Sequence, residues 1–160
     1  HALWFQQKNI EVDALEISAV FCDIMQNRGV KNVLNENIFS YSGKKYETIL
    51  LLMNGIGISG SLDNCELLLN HLKTLLSENG KIFIDSADII ELAGGSPEDY
   101  GDGYYGEIEY QISYKKKVDQ PFPWLFIDFD TLTEIAEDCG LTCKLVLKGP
   151  NNDFLAELSF

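Results

Sequence analysis

The chain has 160 residues, 46% of them hydrophobic, which suits one domain with a normal core. Its 25 acidic residues against 12 basic ones give a formal net charge of -13, a surface that repels phosphate backbones and argues against nucleic acid as a partner. No apolar run reaches the roughly 18 residues of a membrane helix, so no membrane span is expected.

The first residues, His1 to Lys8, carry no basic leader and no cleavage pattern, so no secretory signal is expected. Cys22, Cys65, Cys139 and Cys143 form no Cys-x-x-Cys pair, and the two histidines lie far from them. Four reduced thiols packed as small hydrophobes are predicted, with no metal site and a cytoplasmic location.

In chain order, Ala2 to Lys8 reads as the end of an amphipathic helix that offers Leu3, Trp4 and Phe5 for burial and stops at Asn9. Ile10 to Leu15 is a predicted strand, closed by the acid Glu16. Ser18 is placed to cap a helix carrying Val20, Phe21, Ile24 and Met25 at helical spacing, ended by Arg28-Gly29. Val33 to Asn35 reads as a short strand leading into Glu36-Asn37-Ile38-Phe39. Lys44-Lys45 falls in a turn, and Thr48 to Met53 reads as a strand buried on both faces. Gly55, Gly57 and Gly60 make a loop. Asp63 with Glu66 forms a capping box for a helix to about Leu76, and Asn79-Gly80 turns the chain into the strand Lys81 to Asp85. This alternation indicates a parallel sheet covered on both faces.

The pattern changes after Asp85. Gly94-Gly95-Ser96-Pro97 and the stretch from Gly101 to Gly106 are loop-rich. Ile108, Tyr110, Ile112 and Tyr114 alternate with Glu107, Glu109, Gln111 and Ser113, which predicts an antiparallel strand with one wet face. Lys115 to Gln120 turns it, with the lysine triplet as a solvated turn, and Trp124 to Ile127 returns beside it. Residues 89–124 are therefore expected to be an insertion within a single domain. Asp130 is placed to cap a helix to about Asp138, ended by Gly140. Thr142 to Leu147 and Phe154 to Phe160 form a closing hairpin.

In open α/β sheets, ligands bind beyond the carboxyl ends of the strands, and an acid at the end of the second strand accepts hydrogen bonds from a ribose. Glu16 occupies such a place. Asn54 ends a later strand at the same kind of edge and is a candidate cofactor or substrate contact, although Asn-Gly is also a common turn pair. Asp85, Ser86 and Asp88 follow the next strand, either toward a substrate or as caps of the following segment. Tyr104, Tyr105 and Trp124 lie in or beside the insertion, as part of a lid or as its own small core.

A rival pattern overlaps this one. Gly55-Ile56-Gly57-Ile58-Ser59-Gly60 fits G-x-G-x-x-G between a strand and a helix, with Asp85 ending the next strand. That would make the chain an NAD(P)- or flavin-binding oxidoreductase domain. Helix placement opposes it. A helix that opens at Asp63 starts too late for its N-terminus to meet a pyrophosphate, and an acid there would repel one.

The order of the elements resembles the class I S-adenosylmethionine-dependent methyltransferases, without their N-terminal glycine-rich motif. Val12 to Gly29 resembles the ribose-binding strand and its helix, and Asn35-Glu36-Asn37-Ile38-Phe39 the adenine-contacting segment. Tyr46 to Asn54 resembles the fourth strand and the start of the reaction site. Leu75 to Ile84 resembles the step from leucine-rich helix through a glycine turn into the fifth strand, and Asp130 to Phe160 the last helix and terminal hairpin. The resemblance implies an α/β fold: a three-layer Rossmann-like sheet, mostly parallel with a C-terminal antiparallel hairpin, its first strand missing. It implies S-adenosylmethionine as cofactor and a small-molecule or protein acceptor. Glu16 would hold the ribose, Ile17 one face of the adenine, Asn37 and Ile38 its edge, and Asn54 the cofactor near the reacting group. Gly55, Asp85, Tyr105 and Trp124 are the substrate-side candidates. Asn37 stands where the family usually has an aspartate, but its amide still offers an acceptor and donors. Methyl transfer from a sulfonium needs mainly alignment, so no catalytic residue is assigned. Without the glycine turn the chain alone is expected to be weak or inactive, with a second copy as one means of covering the gap. A non-catalytic interaction domain of the same fold is the third reading.

Overall fold

Helix α1 (Ala2–Gln7) opens a first unit, His1–Gly43, of the computed structural model, which describes residues 1–96, 100–101 and 103–160. Pro97, in the predicted glycine-rich loop, and Asp102 lie outside the described residues. Strand β1 (Asp13–Leu15), helix α2 (Ala19–Asn27) and strand β2 (Asn32–Leu34) follow. The two strands pair in parallel, Asp13 against Asn32 and Leu15 against Leu34, so α2 is the crossover of a βαβ unit.

The local signals act as expected here. Ser18 Oγ accepts the Phe21 amide at the start of α2, and Gly29 (φ +94°) follows its end. The Gln6 side chain ties α1 to the turn before β2, donating to the Gly29 carbonyl and accepting the Lys31 amide, both at 3.0 Å. β1 begins at Asp13 rather than Ile10, because the Ile10 amide donates back to the Phe5 carbonyl and so serves the helix end. Burial differs from the expected pattern. α1 has no buried residue, and in α2 only Cys22 is buried, while Val20, Phe21 and Ile24 are exposed.

The second unit, Lys44–Phe160, is built on a four-stranded sheet in the order β3-β4-β10-β9. Its strands are β3 (Tyr46–Leu51), β4 (Leu76–Ala87), β9 (Thr142–Lys148) and β10 (Asp153–Ser159). Between β3 and β4 come a 3-10 turn (Gly55–Ser59) and helix α3 (Leu62–Leu75). Between β4 and β9 come α4 (Ile90–Ala93), β5 (Glu107–Tyr110), β6 (Ser113–Tyr114), β7 (Lys117–Val118), β8 (Phe122–Leu125) and α5 (Phe129–Asp138). α5 packs on β9, β10 and α3. Ile56, Leu68, Leu69, Leu72, Ile82, Ile84, Leu125, Ile127, Leu132 and Leu158 are fully buried in the core.

The larger sheet is mixed rather than mostly parallel. β3 and β4 are parallel, but the closing hairpin places β10 between β4 and β9, so both remaining ladders are antiparallel. The strands also alternate instead of burying both faces. In β4, Ile82, Ile84 and Ser86 are buried and Lys81 is exposed, and in β3 Leu50 is exposed. Asn79-Gly80 does not end an element but lies inside β4, where the register against β3 shifts. A Cβ on Gly80 would stand 2.8 Å from the Tyr46 carbonyl oxygen, closer than any side chain tolerates.

Two caps fall two residues earlier than expected. Ser61, not the Asp63–Glu66 box, caps α3, accepting the Asn64 amide, and Asp63 sits in the first turn, where its charge suits the helix dipole. Asp128, not Asp130, caps α5 through the Thr131 amide. The predicted strand from Glu107 to Tyr114 breaks at Gln111-Ile112, so that β5 pairs with β8 and β6 with β7 in separate two-stranded sheets. Lys115 (φ +56°) turns the small outer hairpin, as the lysine triplet suggests. Among the described residues no helix is long and apolar enough to cross a membrane.

Candidate functional site

In the first unit, Glu16 follows β1 at its carboxyl end. Its amide extends the ladder to the Leu34 carbonyl, and its Oε1 accepts the Ser18 amide at 2.7 Å. The other carboxylate oxygen meets no donor among the described residues. The next residue, Ile17, is 68% exposed. Both are fixed by Asn35, whose side-chain amide donates to the Glu16 carbonyl at 2.9 Å and the Ile17 carbonyl at 2.8 Å. Asn35 opens the segment that resembles the adenine-contacting one, and its role is to hold these two carbonyls. The signal for it was an asparagine directly after a strand, a residue type that satisfies stray carbonyls. Asn37 forms the turn after β2: its Oδ1 accepts the Phe39 amide at 3.0 Å, and its side-chain NH2 makes no bond to another described residue. Ile38 is half-buried in the same turn.

In the second unit, Asn54 is spoken for on both sides of its amide. Its Nδ2 donates to the Leu125 carbonyl at 3.1 Å, and its Oδ1 accepts the Ser86 hydroxyl at 2.9 Å. That hydroxyl in turn accepts the Ile127 amide. The ends of β3, β4 and β8 are therefore joined through one asparagine and one serine. Asp85 does not reach outward as a free carboxylate, because it accepts the amides of Met53 and Asn54. Gly55 begins the 3-10 turn that follows.

The glycine pattern from Gly55 to Gly60 has a packing reason. A Cβ on Gly57 would lie 2.2 Å from Trp124 Nε1, so the half-buried indole rests directly on this backbone. Gly60 (φ +74°) has Pro123 against it in the same way. α3 opens only at Leu62, after the last glycine. The space a pyrophosphate would need beside the glycines is filled by β8, which removes the geometric basis of the dinucleotide reading.

Tyr105 is buried within a hydrogen-bonded cluster. Its hydroxyl lies 2.8 Å from Asp88 Oδ1 and 3.1 Å from Asp128 Oδ2, while Tyr104 donates to the same Asp128 oxygen at 2.7 Å. Thr131 adds its amide and hydroxyl to Asp128. Burial pushes both tyrosines above the usual phenol range. Burial also raises Asp128, but the bonds from Thr131, Tyr104 and Tyr105 outweigh it and hold the carboxyl below its ordinary value. Asp88, Asp128, Asp130 and Lys148 line a cleft of about 210 Å³ beside this cluster. The cluster anchors the insertion to β4 and α5, and no local signal reveals it, because its members lie up to 43 positions apart in sequence (Asp88 to Thr131). All four cysteines are free, and among the described residues no group of His, Cys, Asp and Glu is placed to hold a metal ion. Burial raises Cys65 to about 12.

No family model and no curated protein sequence matches the chain. Solved structures do. A SAM-dependent methyltransferase from Bacteroides fragilis, in complex with S-adenosyl-L-homocysteine, is 40% identical at a TM-score of 0.88, covering 99% of this chain and 67% of its own. The CcbJ methyltransferase of Streptomyces caelestis is 11% identical at a TM-score of 0.71, covering 98% and 77%. Streptomyces venezuelae DesVI, also 11% identical, has a TM-score of 0.63 and covers 98% and 77%. The last two show the fold alone. The first, similar in sequence over nearly the whole chain, settles the family: this protein belongs to the class I S-adenosylmethionine-dependent methyltransferases.

Proposed function

We propose that the protein transfers the methyl group of S-adenosylmethionine to a small-molecule or protein acceptor. The Glu16 carboxylate carries the reading. It stands at the carboxyl end of a parallel strand, one oxygen held by the Ser18 amide and the other without a donor among the described residues. A ribose diol supplies two O–H donors for such an acid. Beside it, exposed Ile17 offers an apolar face for a planar base, and the Asn37 NH2 offers a donor to a ring nitrogen. These donors, acceptors and apolar surface fit an adenosine group.

Bound S-adenosylmethionine supplies a methyl group already activated on a sulfonium, so the chain's task is to bind, orient and exclude water. In the second unit, the ends of β3, β4 and β8 are linked into one edge. Asn54 serves there as the tie between strands, and Tyr105 and Trp124 as the packing that holds the insertion in place.

Calorimetry of the protein with S-adenosylhomocysteine and, separately, with NAD tests the proposal. Binding of the first and none of the second is expected, with Glu16→Ala weakening it. Binding of NAD alone, or an unchanged dissociation constant in Glu16→Ala, would remove the basis of the reading.

A further inference from the structure

Asparagine is followed by glycine twice in the chain, at Asn54-Gly55 and at Asn79-Gly80. Such a pair is chemically labile. Glycine has no side chain to shield its amide nitrogen, so that nitrogen can attack the side-chain carbonyl carbon of the asparagine before it. The two pairs stand in opposite surroundings. Asn54 is tied on both sides of its side-chain amide: Nδ2 donates to the Leu125 carbonyl at 3.1 Å, and Oδ1 accepts the Ser86 hydroxyl at 2.9 Å. Its main-chain amide donates to Asp85 at 2.8 Å. Turning the Asn54 side chain onto Gly55 would break the bonds to Leu125 and Ser86.

Asn79 is exposed, and its side chain makes no bond to another described residue. Tyr46 pairs with Leu76 and Thr48 with Lys81, so Glu47 alone stands against Ser77, Glu78, Asn79 and Gly80. On the other side, β10 pairs with β4 only from Lys81 onward. The segment is a bulge without ladder partners, and no ladder holds it against turning. Glycine is also obligatory here. A Cβ on Gly80 would stand 2.8 Å from the Tyr46 carbonyl oxygen and 3.0 Å from the Ser77 nitrogen, both main-chain atoms. The packing that demands glycine therefore keeps the attacking nitrogen unshielded.

We propose that Asn79 is a site of deamidation in the folded protein. The Gly80 nitrogen bonds to Asn79 Cγ as the Cγ–Nδ2 bond breaks, and Nδ2 leaves as ammonia with the Gly80 amide proton. Water from the solvent then opens the resulting succinimide. Cleavage of its N–Cγ bond gives aspartate. Cleavage of its other N–C bond gives isoaspartate, whose main chain runs through Cγ and is one carbon longer. Either product adds one negative charge, and no oxidant or reductant is consumed. Because the bulge has no ladder partner, it takes up the added carbon without shifting a strand, and the modified protein stays folded.

The unaltered protein is held in warm neutral buffer made with heavy-oxygen water, then digested in ordinary water and mapped by mass spectrometry. The peptide carrying Asn79 is expected to gain the deamidated mass with heavy oxygen, and fragmentation that distinguishes isoaspartate should find both products. The Asn54 peptide should react at least about tenfold more slowly, since native hydrogen bonds must break first. In urea, where the fold protects neither pair, the two should react at similar rates. Asn79→Gln should remove the label from its peptide, because the ring that glutamine would close is larger and forms slowly. The aged protein should melt within about 2 °C of fresh protein, as surface changes cost little. Equal rates at the two pairs in the folded protein overturn the proposal, as does an intact Asn79 there when the urea control has reacted. A larger fall in Tm overturns the claim that the bulge absorbs the change.

Discussion

Gly57→Ala places a methyl group where the Trp124 indole lies. The new Cβ would stand 2.2 Å from Nε1, 2.3 Å from Cε2 and 2.8 Å from Cδ1, all inside the closest contact that carbon atoms accept. Neither side yields easily. The 3-10 turn is pinned by the Gly57 amide on the Asn54 carbonyl and the Gly60 amide on the Gly57 carbonyl, both at 3.0 Å. The indole is followed by fully buried Leu125 and meets the Phe122 ring edge-on at 6.2 Å. Overpacking of this kind costs about 1–3 kcal/mol, and displacement of a whole indole belongs at the upper end. For a chain of this length, about 3 °C of Tm goes with each kcal/mol. Thermal unfolding followed by circular dichroism should therefore show a Tm about 6–9 °C below wild type. In a Trp124→Ala background the clash has no partner, so the same glycine substitution should cost at least about 1 kcal/mol less. A Tm for Gly57→Ala within about 1 °C of wild type would refute the packing account of the glycine loop.

Other consequences follow from single contacts. Glu16→Ala should weaken S-adenosylhomocysteine binding by about 1.5–3 kcal/mol, the scale of a hydrogen bond to a charged group, read by calorimetry. Asp128→Ala removes the cap of α5 and should cost about 1 kcal/mol or more at neutral pH. Because the folded carboxyl lies below its ordinary 3.8, that contribution is present above this value and fades as pH falls through the lowered one, so denaturant midpoints of variant and wild type should converge in acid. Replacing residues 112–118 by a short turn should leave Tm within about 2 °C of wild type, since Ile112, Tyr114 and Val118 are exposed and surface changes away from the core cost little. Native protein treated with a thiol reagent near pH 8 should modify half-buried Cys143 first and Cys65 last, as burial raises Cys65 to about 12.

Local chemistry was readable from the chain alone. Ser18 before Ala19, Gly29 after Arg28 and Gly140 after Cys139 mark helix ends through interactions within a few residues, and each acts in the structure as its residue type dictates. Glu16 and Asn37 draw attention for a related reason, each lying just beyond a short strand. The sheet partition was not. Nothing in Phe154 to Ser159 says that it lies between β4 and β9, and that one placement turns a mostly parallel expectation into a mixed sheet. Apolar composition also overstated burial. Thr48 to Met53 reads as buried on both faces, yet Leu50 and Met53 are both exposed.

The candidate site shows where sequence reading stops, through two motifs whose letters match and whose causes do not. Gly55 to Gly60 satisfies a dinucleotide fingerprint letter for letter, but Gly57 and Gly60 are there because Trp124 and Pro123 press on them. Asp85 satisfies the rule for an acid at a strand end, yet its oxygens point back to the amides of Met53 and Asn54. Glu16 satisfies the same rule, and one of its oxygens is left open among the described residues. The two acids are alike in sequence context, each closing an apolar strand. They differ in what lies across the turn. Glu16 meets one amide, from Ser18, only two residues on. Asp85 meets two, one on each oxygen, from a segment more than 30 residues earlier, and so is tied into the fold. A strand-end acid is free to bind a ligand only to the extent that the neighbouring backbone leaves its lone pairs unclaimed, and that is decided by pairing across the sheet, which a motif does not encode.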